Sequence, residues 1–373
     1  MSVYERLGVK PVINAAGTMT ALGGSRPSPE VLRAMAEAAE SFVIMTELHE
    51  AAGKVIADIT GAEAGLVTSG AAAGLVLMSA ACLTGKDEEK MLLLPHTGGM
   101  SNEIILPKVQ ENIHFQDFQA AGAVLVKVGT HDGYTITEIE DAITEKTVGL
   151  AFFLFTGRRY CNYDDLAEVI KIGKKHGIHV IVDAAAELPP FENLRKLIAM
   201  GADLVAFSGG KAIQGPNDTG FICGRKHLAK AAAMQACPHR GIGRGFKVSK
   251  EAIIGFITAL QSYVAEGHKT ERQRWESKVE FFLKELKGIP HVKVERVFPD
   301  PSKEYYAQCW PRARVAWDEE ALGLTVAEVR EKLKEGNPRI IAGGGDDAIV
   351  INPHLLRDGE EKLITDRLRK ILG

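Results

Sequence analysis

Short, nearly continuous apolar runs alternate with helix-length stretches through the middle of this 373-residue chain, and no other feature constrains its fold as strongly. The runs are "AGLVTSG", "EKMLLLPH", "AVLVKVG", "TVGLAFFLFT", "IHVIVDAA" and "ADLVAFSGG". Between them lie stretches such as "AAAGLVLMSAACL" and "YDDLAEVIKIGKKHG". A strand that is apolar on both faces must be covered on both, which is the situation of a parallel sheet between two layers of helices. We therefore read residues from roughly 40 to 245 as an α/β domain, a mostly parallel sheet in three layers. Ahead of it, "SPEVLRAMAEAAESF" carries its own start signal, a capping candidate in Ser28 followed by Pro29 at the first helical position.

Past residue 248 the pattern changes. "SKEAIIGFITALQSYVAEGHKTERQRWESKVEFFLKEL" reads as one or two long amphipathic helices. After it come "HVKVERVF", "RARVAWD", the helix candidate "TVAEVREKLKEG", "AIVINPH" and a charged closing helix. "AGGGDD" lacks a following helix pattern and reads as a turn between strands rather than a phosphate loop. The expected division is an N-terminal segment 1–40, a large domain 41–248 and a smaller α+β domain 249–373.

Composition narrows the partners. The chain is 46% hydrophobic and 25% charged, with a net charge of −3, so nothing draws it to nucleic acid or to an anionic membrane. No run is long enough to cross a bilayer, and the first residues mix charges and a proline with apolar groups, unlike a signal peptide. Cys82, Cys161, Cys223, Cys237 and Cys309 are scattered without a CxxC pair, which suggests neither a metal cage nor a disulfide framework. The expectation is a cytoplasmic protein with a small-molecule substrate and no structural metal.

The polar residues worth attention stand at the C-terminal ends of apolar runs, the edge at which open α/β sheets bind ligands. Ser69 and Gly70 lie between a strand and an alanine-rich helix, where backbone N–H groups and a hydroxyl suit a phosphate; a plain N-cap would explain the pair equally well. Asp183 ends the next-to-last run, either as a turn aspartate or as the partner of a cationic ring nitrogen. Lys211 follows at the end of the last, and burial there would lower its pKa and make it a nucleophile. His96 follows another run, as a turn residue or as an imidazole stacked on a flat ring. Ser208 stands three residues before Lys211, close enough to reach the same phosphate. An anion cradle, an acid and an amine are together what pyridoxal phosphate needs to be held, and the set is far more specific than any member.

These residues resemble the fold-type I pyridoxal phosphate enzymes of the aspartate aminotransferase superfamily, in the branch related to bacterial selenocysteine synthase. "PVINAAGTMTALGGS", "ITGAEAGLVTSGAAAGL", "VIVDAAAELPP" and "DLVAFSGGKAIQGPNDTGFICGR" carry the likeness. "IGRGFKVSKEAIIGFITAL" is similar to the subgroup that includes D-glucosaminate-6-phosphate ammonia-lyase. That subgroup usually reads glycine-arginine-proline-methionine-lysine where this chain has Gly243, Arg244, Gly245, Phe246 and Lys247. The resemblance implies that Lys211 forms the imine with pyridoxal 5′-phosphate and that Asp183 pairs with its pyridine nitrogen. It implies that Ser69, Gly70, Ala71 and Ser208 bind the phosphate, that His96 stacks on the ring, and that the protein is a homodimer or larger.

The activity so implied is a lyase releasing ammonia from a small 2-amino-3-hydroxy acid or an amino sugar acid. Racemase, aminotransferase and selenocysteine synthase-like transfer run on the same apparatus, and a cofactor-binding protein without catalysis stays open. Transfer onto tRNA would need a broad basic surface, against which the net charge argues. For the substrate's anion the candidates are Arg26, Arg158, Arg159, His239, Arg240, Arg244 and Arg339.

Overall fold

The computed structural model describes residues 2–155, 159–298 and 310–373. Its strands, in chain order, are β1 (Val12–Ala15), β2 (Ala64–Thr68), β3 (Glu103–Pro107), β4 (Val124–Val128), β5 (Thr147–Phe153), β6 (His179–Asp183), β7 (Leu204–Ser208), β8 (Gly220–Gly224), β9 (Val292–Val297), β10 (Arg312–Trp317), β11 (Arg339–Ala342) and β12 (Ile349–Ile351). Two compact units emerge: one of Arg26–Ala265, the other of residues 2–25, 266–298 and 310–373.

The large unit is built on a seven-stranded sheet in the order β2-β8-β7-β6-β5-β3-β4, in which β8 alone runs antiparallel to its neighbours. Its interior strands are the continuous apolar runs of the sequence; Val180, Ile181, Val182, Leu204, Val205, Ala206 and Phe207 are all buried. The Gly70–Thr84 helix is apolar on every side, as a helix enclosed by neighbours must be. Leu75, Met78 and Ala80 are fully buried within the same cluster as Ile104, Ala206, Ile222 and Ala232. At about 1.5–3 kcal/mol for each large apolar side chain, such burial is the dominant favourable term of this layer.

One stretch departs from the sequence reading and moves a candidate residue with it. All of "EKMLLL" but its last leucine is helix, Glu88–Leu93, started by Asp87, whose Oδ1 accepts hydrogen bonds from the N–H groups of Glu89 and Lys90. The strand is the next run, "EIILP", which is β3. His96 therefore lies in the loop that enters β3, not at the end of a strand. That loop is tied to the start of the neighbouring strand: Thr97 Oγ1 donates to the Gly122 carbonyl at 2.7 Å, and Val124 N–H donates to Asn102 at 2.8 Å.

The small unit joins the two ends of the chain. β1 pairs in parallel with β11, Val12 opposite Arg339, while β12, β10 and β9 form an antiparallel sheet. Phe282, Val315, Val329, Ile349 and Ile364 are fully buried in its core. Residues 250–285 make one continuous helix rather than two. The contact division thus begins the large unit at Arg26 and falls within this helix, where the sequence suggested boundaries at 40 and 248. The reason for the first shift is that residues before 26 supply a strand to the small unit's β11, whereas the Pro29–Ala39 helix packs within the large unit, Lys250 Nζ donating to the Ala38 carbonyl at 2.5 Å. "AGGGDD" is the expected turn, with Gly343 and Val350 exchanging both backbone hydrogen bonds.

Candidate active site

The C-terminal ends of β2, β6 and β7 and the start of β8 lie on one edge of the sheet, and the strand register aligns them. Thr68 on β2 and Ser208 on β7 both pair with Gly220 on β8, and Ala206 on β7 pairs with Asp183 on β6. Ser69 and Ser208 thus flank β8, with two strand spacings, roughly 10 Å, separating their strands.

The turn from β2 into its helix is shaped to leave polar groups unspent. Ser69 precedes the helix, yet its side chain makes no capping bond, so a simple capping role does not account for it. Gly70 has φ +83°, a conformation costly for other residues, and open space where a Cβ would stand. Gly220 is squeezed against this turn: a Cβ there would lie 2.6 Å from Gly70 C and 2.7 Å from Ala71 N. Only glycine lets the first turn of the helix sit so close to β8. The result is a half-buried helix N-terminus of Ser69, Gly70 and Ala71 that favours an anion through its N–H groups and its dipole.

Asp183 ends β6 and is buried, with Oδ1 accepting the Ala185 N–H at 2.8 Å. Burial pushes its carboxyl up, while the Ala185 N–H and the charges of Lys211 and His114 pull it down. Lys211 is half-buried beyond β7. Burial lowers its ammonium, opposed by the negative charges of Asp183 and Glu187. The charge of each thus acts on the other. Glu187, four residues after Asp183, is fully buried and had not been singled out; its Oε2 accepts a 3.4 Å hydrogen bond from the Tyr163 hydroxyl.

The lysine loop is closed on itself. Gly209 N–H donates to the Thr219 carbonyl and Gly215 N–H to the Gly209 carbonyl, both at 2.9 Å, and Gln214 N–H reaches the Lys211 carbonyl at 3.1 Å. Gln214 adopts φ +57°, the one residue of the turn with a positive φ. Ala212 and Ile213 are buried, so the base of Lys211 is fixed from the C-terminal side by packing as well as by hydrogen bonds.

The imidazole at this edge is His114, not His96. It follows β3 by a short 3₁₀ turn, and its protonation responds to both Asp183 and Lys211, with the Asp117 carboxylate 2.9 Å from Nδ1 as the largest influence, raising it. Its segment is anchored by buried Gln110, which accepts the Phe153 N–H at 2.8 Å and donates to the Tyr160 carbonyl at 2.6 Å. The signal in the sequence was "NEIILP", an apolar run of strand length closing with a proline.

The proposed anion-binding residues fall on several separate segments. Arg244, Arg240 and His239 are exposed beyond the lysine loop, Arg244 with its guanidinium 3.8 Å from Cys237 Sγ. Arg159 lies exposed over the Tyr160 ring, Arg26 is half-buried at the start of the large unit, and Arg158 lies outside the described residues. Arg339 opens β11 in the small unit, half-buried.

A family model for aminotransferase class-V matches residues 30–303. The chain belongs to the aminotransferase class-V family. D-glucosaminate-6-phosphate ammonia lyase of Salmonella typhimurium is 32% identical to this class-V protein over 99% of the chain and 98% of that enzyme. The solved structure of a D-glucosaminate-6-phosphate ammonia-lyase superimposes with a TM-score of 0.87 over 100% of the chain and 98% of its own. A 5′-C-glycyluridine monooxygenase-decarboxylase of Streptomyces sp is 34% identical over 99% of the chain and 92% of that protein. The cofactor of this class-V protein is pyridoxal 5′-phosphate. Its residues fit the group: an open helix N-terminus for the phosphate, a buried carboxylate for the ring nitrogen and a lysine whose charge burial disfavours.

Proposed function

We propose that this chain is a pyridoxal phosphate-dependent ammonia-lyase acting on a small 2-amino-3-hydroxy acid or an amino sugar acid. The observation that carries the reading is that Asp183 ends β6 and Lys211 follows the end of the adjacent β7 on one sheet edge, each responding to the other's charge, beside the cradle of Ser69, Gly70, Ala71 and Ser208. The cofactor, when bound, supplies an electron sink for the substrate's α-carbon. The cradle holds a phosphate against the helix N-terminus, and Asp183 keeps a proton on the pyridine nitrogen. Lys211, whose charged form burial disfavours, takes the α-proton and returns a proton to the departing β-hydroxyl. Water leaves, the resulting enamine takes it back on hydrolysis, and the net products are a 2-keto-3-deoxy acid and ammonia.

The test is to incubate the holoenzyme with 2-amino-3-hydroxy acids and amino sugar acids, assaying ammonia and keto acid together. Stoichiometric release of both is expected for at least one substrate. Oxygen uptake with carbon dioxide release would overturn the lyase reading in favour of the chemistry named for the Streptomyces relative. Exchange of the α-hydrogen without ammonia would overturn it in favour of racemisation.

The same reading includes a homodimer or larger assembly in the cytoplasm. Phe42 is fully exposed, and Val43 and Ile44 that follow it are exposed as well, a run of apolar side chains suited to burial against a second copy. Replacing Phe42 with Asp is expected to lower the mass measured by light scattering to that of a smaller assembly; an unchanged mass would remove this patch as the interface. The cytoplasmic placement is supported by the free cysteines Cys82, Cys161, Cys223 and Cys237, and fractionation of the source cells checks it. Among the described residues no helix is long and apolar enough to cross a membrane.

A further inference from the structure

The small unit holds a group of enclosed nitrogen atoms that the chemistry of the large unit leaves unexplained. His354 follows β12 and is 6% exposed, with neither ring nitrogen hydrogen-bonded. Its ring lies flat on Trp310, centroids 4.1 Å apart at 10°, and Trp275 meets both edge-on at 5.4 and 6.0 Å. Trp310 is 1% exposed, and its indole N–H has no acceptor. Arg312 opens β10 two residues later; its Nε is enclosed without a partner, and among the described residues no carboxylate offsets the burial of its charge. The positive charge of Arg312 reaches His354, whose imidazole burial already pushes down to about 3.

The neighbouring strand positions show what is missing. Arg314 lies on the same strand, and its guanidinium donates to Glu295 at 2.9 Å and to Asp347 at 2.6 Å. Arg312 has no such acceptor among the described residues. Enclosed polar groups ordinarily have partners, and here a guanidinium Nε, an indole N–H and both nitrogens of an imidazole have none. Such a set lacks an acceptor carrying negative charge, and the planar fork of arginine matches the paired oxygens of a carboxylate or a phosphate.

We propose that Arg312, Trp310 and His354 form a binding site for an oxyanion, the carboxylate or the phosphate group of a small acid. Its residues belong to the small unit and the cofactor's cradle to the large one, so the proposal does not depend on the lyase reading. The flat Trp310–His354 pair forms one wall, and the guanidinium supplies the charge.

The chain's three tryptophans, Trp275, Trp310 and Trp317, provide the readout. The holoenzyme, its cradle filled by cofactor, is titrated with inorganic phosphate and separately with acetate while tryptophan fluorescence is followed. A saturable change is expected with at least one of them; a response to phosphate alone assigns the site to phosphate monoesters, and a response to acetate assigns it to carboxylates. Arg312→Met should weaken the responding anion at least tenfold and melt no lower than the parent, because it removes a buried charge that nothing offsets. Arg312→Lys, which keeps the charge but loses the fork, should bind with intermediate strength and covers the case in which the methionine variant fails to fold. No saturable response to either anion, or a response that Arg312→Met and Arg312→Lys leave undiminished, would overturn the site.

Discussion

Lys211→Ala leaves a chain that still takes up pyridoxal phosphate but no longer becomes linked to it. After borohydride treatment, intact mass of the parent should include one cofactor per chain, and that of the variant none. Turnover should fall by at least ~10⁴-fold, since the substitution removes the nucleophile and the general base together. The cradle residues and Asp183 are untouched, so the cofactor should still bind, only reversibly. The structure adds a second, less obvious expectation. Burial disfavours the charged form of Lys211 in the folded protein, whereas the unfolded chain protonates it freely. A folded-state pKa below the unfolded one costs stability once the pH falls below the unfolded value of about 10.4, and the full cost is present below the folded value. Stripped of cofactor at neutral pH, the alanine variant should therefore melt no lower than the stripped parent. A borohydride-fixed cofactor in Lys211→Ala would remove Lys211 from the role given to it.

Asp183→Asn should keep the cofactor and lose the reaction by about 10²–10³-fold, the usual effect of removing one preorganised electrostatic partner. An amide at this buried position cannot hold a proton on the ring nitrogen as a carboxylate does. The pH profile separates this role from a structural one. The negative charge of Asp183 raises the pKa of Lys211, so its removal lowers it further. The limb of kcat/KM that rises as the lysine loses its proton should accordingly move to lower pH in the variant. Turnover within threefold of the parent, or a limb displaced to higher pH, would count against the assignment.

Both residues were legible in the sequence because parallel strands buried on two faces leave unbroken apolar runs, and β5, β6 and β7 are such runs. Once the strands were placed, Asp183, Ser208 and Lys211 fell at their ends. The imidazole was misplaced because "EKMLLL" and "EIILP" are both short apolar runs, and periodicity cannot separate helix from strand at that length. What decided it was Asp87, whose capping carboxylate starts a helix. With the strand shifted by one segment, His96 moved to the entering side of the sheet and His114 took its place at the exit. Glu187 gave no signal, since a glutamate before two prolines reads as a surface turn until the fold encloses it. The pairing of Val12 with Arg339 was equally silent, because contacts between distant segments leave no local pattern. The Trp310–His354 stack depends on the same kind of long-range meeting.

The antiparallel course of β8 decides how firmly the lysine is held. Had the strand after β7 run parallel, the chain would have had to cross back over the sheet before rejoining it, and the lysine would have sat at the start of a long excursion. Instead residues 209–219 leave and return at the same edge, fastened at both ends by the pairing of Ser208 with Gly220 and the bond from Gly209 to Thr219. The lysine's reach is set inside that closed loop. Substitutions in the helices before β7 or after β8 therefore leave the fastening of the lysine's loop intact, and the amine stays beside the acid on β6.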